Sequence, residues 1–407
     1  MTDPYTTYKG DVSQRKHIAV VNIRAHGHIN PTLGIVEELV NRGHRVTYVV
    51  TEEFVPVVEA AGAEARIYAS VIPANIVLKR QGFEHSLDPM ELFFQEAQQM
   101  LPQLEEIYED DRPDLVLYDF MAWIASAVAV KWGVPAIELC SSYPRSKQDS
   151  IEEVTKQIPG MEDFKKRVSQ YLDSLQIEGV TLESLLFGSQ LSIIFMPRMI
   201  HYAGESFDDR YHFVGPCLRT EHNPLSWNPP ADGRPVLYIS LGTVFNDWPE
   251  FFNQCIEAFG HTSWHVVLVI GKQIDRDQLL HIPDNFEIHE SVPQLSVLKH
   301  TKLFISHGGM NSTMEAMLHH VPLVVIPQML EQEITAKRVA ALGLGYYLKP
   351  EDVTVDTLRE AVKTVAGNDC MLARVKQMSE HIEDTGGTMR AVELIEQRLH
   401  RISVPSM

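Results

Sequence analysis

The chain has 407 residues, 44% hydrophobic and 22% charged, an ordinary globular mix with material for two to three domains. Its formal net charge of −19 argues against nucleic acid or an anionic membrane surface as the main partner, because both need a clustered positive footprint. A small polyanion held locally by backbone amides remains compatible with it.

No apolar run approaches the roughly 18 residues of a membrane span, and residues 1–14 contain no signal-peptide hydrophobic region. The four cysteines, Cys140, Cys217, Cys255 and Cys370, are far apart and form no C-x-x-C pair. The expectation is a cytoplasmic protein with reduced thiols and a disordered lead-in over 1–15.

A strand is predicted at 17–23 (HIAVVNI), nearly all apolar, as a strand buried on both faces should be. Asn30 at the cap and Pro31 at the first helical position then open a helix, with Leu33, Val36, Leu39 and Val40 as its buried stripe and Gly43 at its end. The next strand is 45–50 (RVTYVV), completing a parallel β-α-β unit. Helices near 89–109 and 121–131 alternate with strands at 114–118 and 135–139. A polar, helical stretch at 146–190 interrupts the rhythm, and strands at 191–196 and 211–214 end this first domain.

Residues 216–235 carry linker composition, rich in proline. Alternation then restarts, with strands at 236–241, 265–270, 286–289, 302–306, 322–326 and 346–348. Between them lie helices at 249–259, 293–299, 311–319 and 331–342. The reading is α/β: two doubly wound, parallel-sheet domains over 16–215 and 236–385, with 386–407 as a terminal helix.

Ligands of open parallel sheets sit past the carboxyl ends of strands, so reactive or phosphate-suited residues should gather there. They do. His26 and His28 follow the first strand, and Asp119 follows DLVLY. A histidine can remove a proton at neutral pH while a carboxylate fixes its tautomer. From these two residues alone, a helix cap at His28 and an ordinary strand-end hydrogen-bonder at Asp119 remain the open alternative.

His307-Gly308-Gly309-Met310-Asn311-Ser312-Thr313 offers glycines for close approach to an anion, and Asn311 or Ser312 as the cap of a helix whose free amides face a phosphate. Ser240-Leu241-Gly242-Thr243 is a shorter loop of the same kind. Glu331 and Gln332 could fork hydrogen bonds to adjacent hydroxyls, although alone they read as an acidic helix start.

No G-x-G-x-x-G follows the first strand and no P-loop exists, which disfavours a dinucleotide cofactor and a P-loop ATPase. Asp275-Arg276-Asp277 has D-x-D form but reads as a solvated loop. The paired histidines, His261 with His265 and His319 with His320, complete no metal pattern.

The segment from Ser291 to Gln332, with VPQLSVL, ISHGGMNSTMEAM, VPLVVIPQ and EQ, resembles the nucleotide-sugar signature of family 1 UDP-glycosyltransferases. NIRAHGHINPTLGIVEELVNRGHRVTYV and LVLYDF resemble the matching acceptor-domain motifs. The resemblance covers nearly the whole chain and is closest to the bacterial macrolide-type branch, with its YjiC-type glucosyltransferases of flavonoids and other phenols.

It implies a GT-B fold of two Rossmann-like domains facing a cleft, and an inverting, metal-independent transfer of hexose, foremost glucose from UDP-glucose, to a hydrophobic hydroxylated acceptor. By the same resemblance His28 is the general base and Asp119 its support, and His307, Gly309, Asn311, Ser312 and Thr243, beside Gly242, hold the diphosphate. Glu315 takes the ribose, Val292 and Gln294 lie near nucleobase and ribose, and Glu331 and Gln332 hold the sugar. The last helix should return to the first domain.

One departure stands out. Ser291 occupies the position of the family's uracil-stacking Trp, and stacking of that type is worth roughly 1–3 kcal/mol per base, so the choice of nucleotide should be looser. Expected acceptor walls are 70–90 and 141–150, with Phe83, Phe93 and Tyr143. Alternatives at this point are a sugar-nucleotide epimerase on the same fold and a non-catalytic nucleotide-sugar binding protein.

Overall fold

The strands form two all-parallel sheets in a computed structural model that describes residues 15–73, 87–144, 158–219, 226–243 and 247–403. The first sheet contains β1 (His17–Val21), β2 (Arg45–Val50), β3 (Glu64–Ile67), β4 (Leu115–Asp119), β5 (Ala136–Cys140), β6 (Ser192–Ile194) and β7 (Tyr211–Phe213), in the order β3-β2-β1-β4-β5-β6-β7. The second contains β8 (Val236–Ser240), β9 (His265–Val269), β10 (Phe286–His289), β11 (Thr301–Ser306), β12 (Leu323–Val325) and β13 (Gly345–Tyr347), in the order β10-β9-β8-β11-β12-β13. Both therefore start outward from a central strand, return, and continue on its other side, which is the doubly wound arrangement.

Helices cover both faces because the strands are apolar on both. Ile18, Val20 and Tyr48 pack with Leu39 on one side of the first sheet, and Ala19, Val21 and Val49 with Met100 and Ala125 on the other. The helices of this half are α1 (His26–Ile29), α2 (Leu33–Asn41), α3 (Val55–Glu59), α4 (Asp88–Ile107), α5 (Ile124–Trp132), α6 (Met161–Ser174) and α7 (Leu182–Phe187). Those that follow are α8 (Pro249–Phe259), α9 (Gln294–Leu298), α10 (Met310–Leu318), α11 (Leu330–Ala341), α12 (Val355–Ala366), α13 (Asp369–Asp384) and α14 (Gly387–Ser403).

The last helix lies on α2, with Ala391, Val392 and Ile395 fully buried in the first sheet's core. Arg42 donates to the Glu396 carboxylate at 2.8 Å beside that contact. In the segment between the sheets, Trp227 is pinned to the second one, its indole donating to Glu287 at 2.9 Å and its backbone N–H to the Ser296 hydroxyl at 2.9 Å.

The first helix departs from the sequence reading. It opens at His26 after an extended Ala25, and Asn30–Thr32 forms a tight 3-10 turn between α1 and α2 rather than a cap. Val40 is only half-buried against the core that Leu33, Val36 and Leu39 enter. The edge strand β3 and the short helix α3 have no counterpart in that reading. None of the described helices is long and apolar enough to cross a membrane, and all four cysteines are free thiols. Residues 1–14 of the lead-in lie outside the described residues.

Candidate active site between the two sheets

In each sheet the chain reverses direction of growth between two neighbouring strands, β1 and β4 in the first, β8 and β11 in the second. The loops leaving those strands diverge and open a crevice at their carboxyl ends. His28 follows β1 and Asp119 ends β4; Gly242 follows β8 and His307 follows β11. Each residue pair thus flanks a switch point.

His28 Nδ1 lies 2.9 Å from Asp119 Oδ2, with the histidine side chain 23% exposed and the carboxylate 1% exposed. A carboxylate only accepts, so the contact places the proton on Nδ1 and leaves Nε2 as the free lone pair. Burial alone would lower the His28 pKa, but the Asp119 charge and hydrogen bond, with the Glu331 charge, raise it above its ordinary value. The other carboxylate oxygen of Asp119 accepts the Met121 backbone N–H at 2.8 Å. Phe120 stacks on the imidazole, ring centres 5.5 Å apart. Below the turn, the Asn22 amide donates to the His28 carbonyl at 3.0 Å and to the buried Tyr48 hydroxyl at 3.1 Å.

The opposite wall repeats one device. Ser240 and Ser306 are register partners on β8 and β11, and each hydroxyl accepts the N–H of the glycine two residues on, Gly242 at 3.3 Å and Gly308 at 3.1 Å. Both glycines have left-handed φ, +81° and +85°, a region closed to most side chains. The His307 ring lies between the α-carbons of Gly242 and Gly309: a Cβ on Gly242 would come 2.7 Å from Cε1, and one on Gly309 2.5 Å from Nε2. Burial pushes the His307 pKa down to about 4, so it is a neutral donor at physiological pH, and its buried Nδ1 makes no well-formed hydrogen bond among the described residues.

Helix α10 then begins at Met310, capped by Gly309 with no side-chain hydrogen bond, leaving its first N–H groups and dipole aimed into the crevice. At the far end of this wall Gln294 ties three groups together. Its amide donates to Glu315 at 2.6 Å and to Ser312 at 3.1 Å, and its carbonyl accepts the Tyr238 hydroxyl at 3.1 Å. Burial raises the Glu315 pKa to about 7.

Two contacts close the crevice. Asn311 donates its side-chain amide to the Gly27 carbonyl at 2.7 Å, and Ser142, just past β5, donates its hydroxyl to Glu331 at 2.5 Å. The second wall therefore reaches the residue next to His28.

Comparison with known proteins agrees with this architecture. The family described as erythromycin biosynthesis protein CIII-like, C-terminal domain, matches residues 253–388. The NDP-glycosyltransferase YjiC of Bacillus subtilis (strain 168) is 47% identical over 399 residues, covering 96% of this chain and all of the relative. The chain belongs to the family 1 glycosyltransferases. The oleandomycin glycosyltransferase of Streptomyces antibioticus is 34% identical, with 94% of this chain and 91% of the relative covered. Among solved structures, the calicheamicin glycosyltransferase CalG4 superposes with a TM-score of 0.83 at 35% identity, covering 96% of this chain and all of that one. The protein is thus a GT-B glycosyltransferase of the macrolide and natural-product type.

In this glycosyltransferase the structure brings His28, Asp119, Asn311 and Glu331 to one crevice, with Gly242, His307 and Gly309 in contact on its second wall and local differences from the sequence reading. Asn311 and Ser312 lie inside the first turn of α10, and Gly309 occupies the cap position instead, without a side chain to close it. Gln332 accepts the Gln328 N–H on its carbonyl oxygen at 2.7 Å, and Glu331 already accepts from Ser142. Val292 is half-buried beside the core, Thr243 and Ser291 are exposed at the rim, and His26 is exposed with its ring edge on Phe54. Asp275 is a helix cap, accepting the Asp277 N–H on an exposed turn.

Phe83 and residues 145–150 of the expected acceptor walls lie outside the described residues, and Phe93 is half-buried against the α4–α5 core. A small recess, with room for about one water, lies beside Phe120 and is lined by Glu138, Cys140, Pro144, Leu185 and Tyr211. Phe120 and Asn22 were missed from sequence as site residues, and Ser142 was included only as part of the 141–150 wall. Only Phe120 carried a signal, as an aromatic next to a strand-end aspartate.

Proposed function

We propose that this glycosyltransferase moves a hexose, foremost glucose from UDP-glucose, to a hydroxyl of a hydrophobic acceptor such as a flavonoid, macrolide or other phenol, inverting the anomeric centre without a metal. The observation that carries the reading is the His28–Asp119 pair, free at Nε2, facing the uncapped start of α10 across a crevice that Asn311 spans.

The acceptor hydroxyl gives its proton to His28 Nε2 as its oxygen forms the new bond to the anomeric carbon. The bond from that carbon to the diphosphate oxygen breaks on the opposite face, and the diphosphate leaves with the electron pair. Asp119 holds the resulting imidazolium. The departing charge falls on the free amides of α10, with Gly242, Thr243, Gly309 and Ser312 lining its position and neutral His307 donating one hydrogen bond. Glu315, Gln294 and Val292 would take ribose and base; Glu331 and the Gln332 amide would take sugar hydroxyls. With Ser291 exposed where a stacking aromatic would sit, several nucleotides should serve, in keeping with a relative whose name specifies only an NDP donor.

Phenols suit the base best, since their hydroxyl pKa near 10 is the closest of common alcohols to that of an imidazole. The reaction is assigned to the cytoplasm, where reduced thiols persist. The test is mass spectrometry of protein incubated with UDP-glucose and a panel of flavonoids, macrolides and simple phenols, with EDTA present and His28→Ala alongside. A hexose adduct made by the wild type and lost in His28→Ala is expected. Failure to bind any sugar nucleotide refutes the reading, and activity abolished by EDTA and restored by a divalent ion refutes its metal-independence.

A further inference from the structure

Helix α1 is a single turn, His26–Ile29, with no side-chain cap, so its orientation depends on what its carbonyls bond. The His28 carbonyl accepts from Asn22, within the same half of the molecule, at 3.0 Å. The Gly27 carbonyl is in a different position. In a helix it would accept from the residue four on, and that residue is Pro31, which has no N–H. The amide that fills the gap comes from the other half, Asn311 Nδ2 at 2.7 Å. Two asparagine amides thus hold successive carbonyls of the turn that carries His28, one from below and one from across the crevice.

We infer that Asn311 is a positioning residue for the base: through Gly27 it sets His28 in line with the donor held at the start of α10. A side-chain amide has two hydrogens. One is committed to Gly27, and the second is left for a diphosphate oxygen at the same helix start. The leaving group and the base are then linked through one planar group, so that a bound donor fixes the register of the turn whose histidine takes the proton. Ser142 donating to Glu331 at 2.5 Å holds the other side of the crevice and keeps the two walls at the spacing this requires. The inference rests on the glycosyl-transfer reading above and adds to it a role that diphosphate binding alone does not contain.

The experiment compares wild type, Asn311→Ala and the double variant Pro31→Ala/Asn311→Ala, with UDP-glucose as donor and UDP binding measured by calorimetry. Two acceptors are used: an unactivated phenol, and a nitro-substituted phenol already ionised at the assay pH, which needs no base. Wild-type turnover of either acceptor establishes the transfer reaction first, so its absence would count against the donor reading and not against this one. At saturating donor, Asn311→Ala is expected to lower kcat about tenfold to a hundredfold on the unactivated phenol, the size of loss that misplacing a reacting group produces. It should lose far less on the ionised phenol, while UDP affinity falls by the loss of one amide contact, which saturating donor removes from the comparison of kcat. Pro31→Ala returns a backbone N–H to Gly27 and should recover part of that kcat. Equal losses on both acceptors, or an effect confined to UDP affinity with kcat unchanged, would overturn the inference.

Discussion

Replacing Asp119 by asparagine keeps the shape of the site and changes its proton bookkeeping, so its effect can be worked out from two hydrogen bonds. Asp119 uses one oxygen for the Met121 N–H at 2.8 Å and the other for His28 Nδ1 at 2.9 Å. In Asp119→Asn the carbonyl must stay on Met121, because the reverse would set an amide N–H against a backbone N–H in a buried position. The NH₂ then faces Nδ1, which becomes an acceptor, and the ring proton moves to Nε2. The lone pair that should take the acceptor's proton is gone.

The lost charge acts in the same direction. Opposite charges about 4 Å apart attract by about 4 kcal/mol at an effective dielectric of 20, and a carboxylate of this kind moves a neighbouring pKa by about one to three units. In the wild type His28 must be deprotonated to act, so activity falls as pH drops through a pKa held above the ordinary 6.5. Removing Asp119's charge lowers that pKa, and the acid limb moves to lower pH by at least about one unit. kcat/KM on a simple phenol should fall about 10²–10⁴-fold, the usual worth of a placed general base. Initial rates with UDP-glucose across pH 5–9 measure both effects. A variant that keeps more than about a tenth of wild-type kcat/KM, or whose acid limb does not move, refutes the assignment of His28 and Asp119 as base and support.

Glu315→Gln tests the carboxyl that burial holds near a pKa of about 7. The folded protein keeps a proton there that the unfolded chain releases near pH 4.3, so stability is eroded as pH rises from that value through about 7. The variant should therefore melt higher than wild type at pH 8, by at most about 4 kcal/mol in stability, and equal it near pH 4; thermal unfolding without nucleotide at the two pH values checks this. Gly242→Ala puts a Cβ 2.7 Å from the His307 ring at φ +81°, which costs about 1–2 kcal/mol in left-handed strain. It should weaken UDP binding in calorimetry more than it lowers Tm. Ile395→Ala removes a fully buried side chain where α14 meets α2, with an expected loss of about 2–5 kcal/mol by denaturant unfolding and kcat unchanged at a temperature where the variant is folded.

The strands at the centre of each sheet were legible because burial on both faces demands unbroken β-branched and apolar runs, as in HIAVV, VLYIS and HVVLV. The edge strand β3, EARI, was not: it is exposed at Glu64 and Ile67 and only half-buried between them, so it carries no apolar run. The start of the first helix was misplaced for a different reason. Asn30-Pro31 is a genuine start signal, and nothing in Ala25-His26-Gly27 competes with it locally. The extra turn at His26–Ile29 is held by Asn22 from within the fold and by Asn311 from 284 residues away, contacts outside any sequence window.

Strand order explains why the site was half legible. Sequence alone puts His28 and Asp119 after two different strands and cannot say that they meet. Once β1 and β4 are neighbours, in parallel and in register from Ile18↔Leu115 to Val21↔Tyr118, the residues leaving their carboxyl ends must be adjacent, and the 2.9 Å contact follows with little further freedom. The same holds for β8 and β11, where pairing Ser240 with Ser306 brings Gly242 against the His307 ring. Contacts between the two sheets have no such rule. Gly27 with Asn311 and Ser142 with Glu331 depend on how one domain sits on the other, which is set by burial of α14 against α2 and by the core that Cys140 and Ile194 share with the second domain. Chemistry confined to one switch point can be read from motifs and topology together, whereas the alignment of base with donor is written in that packing.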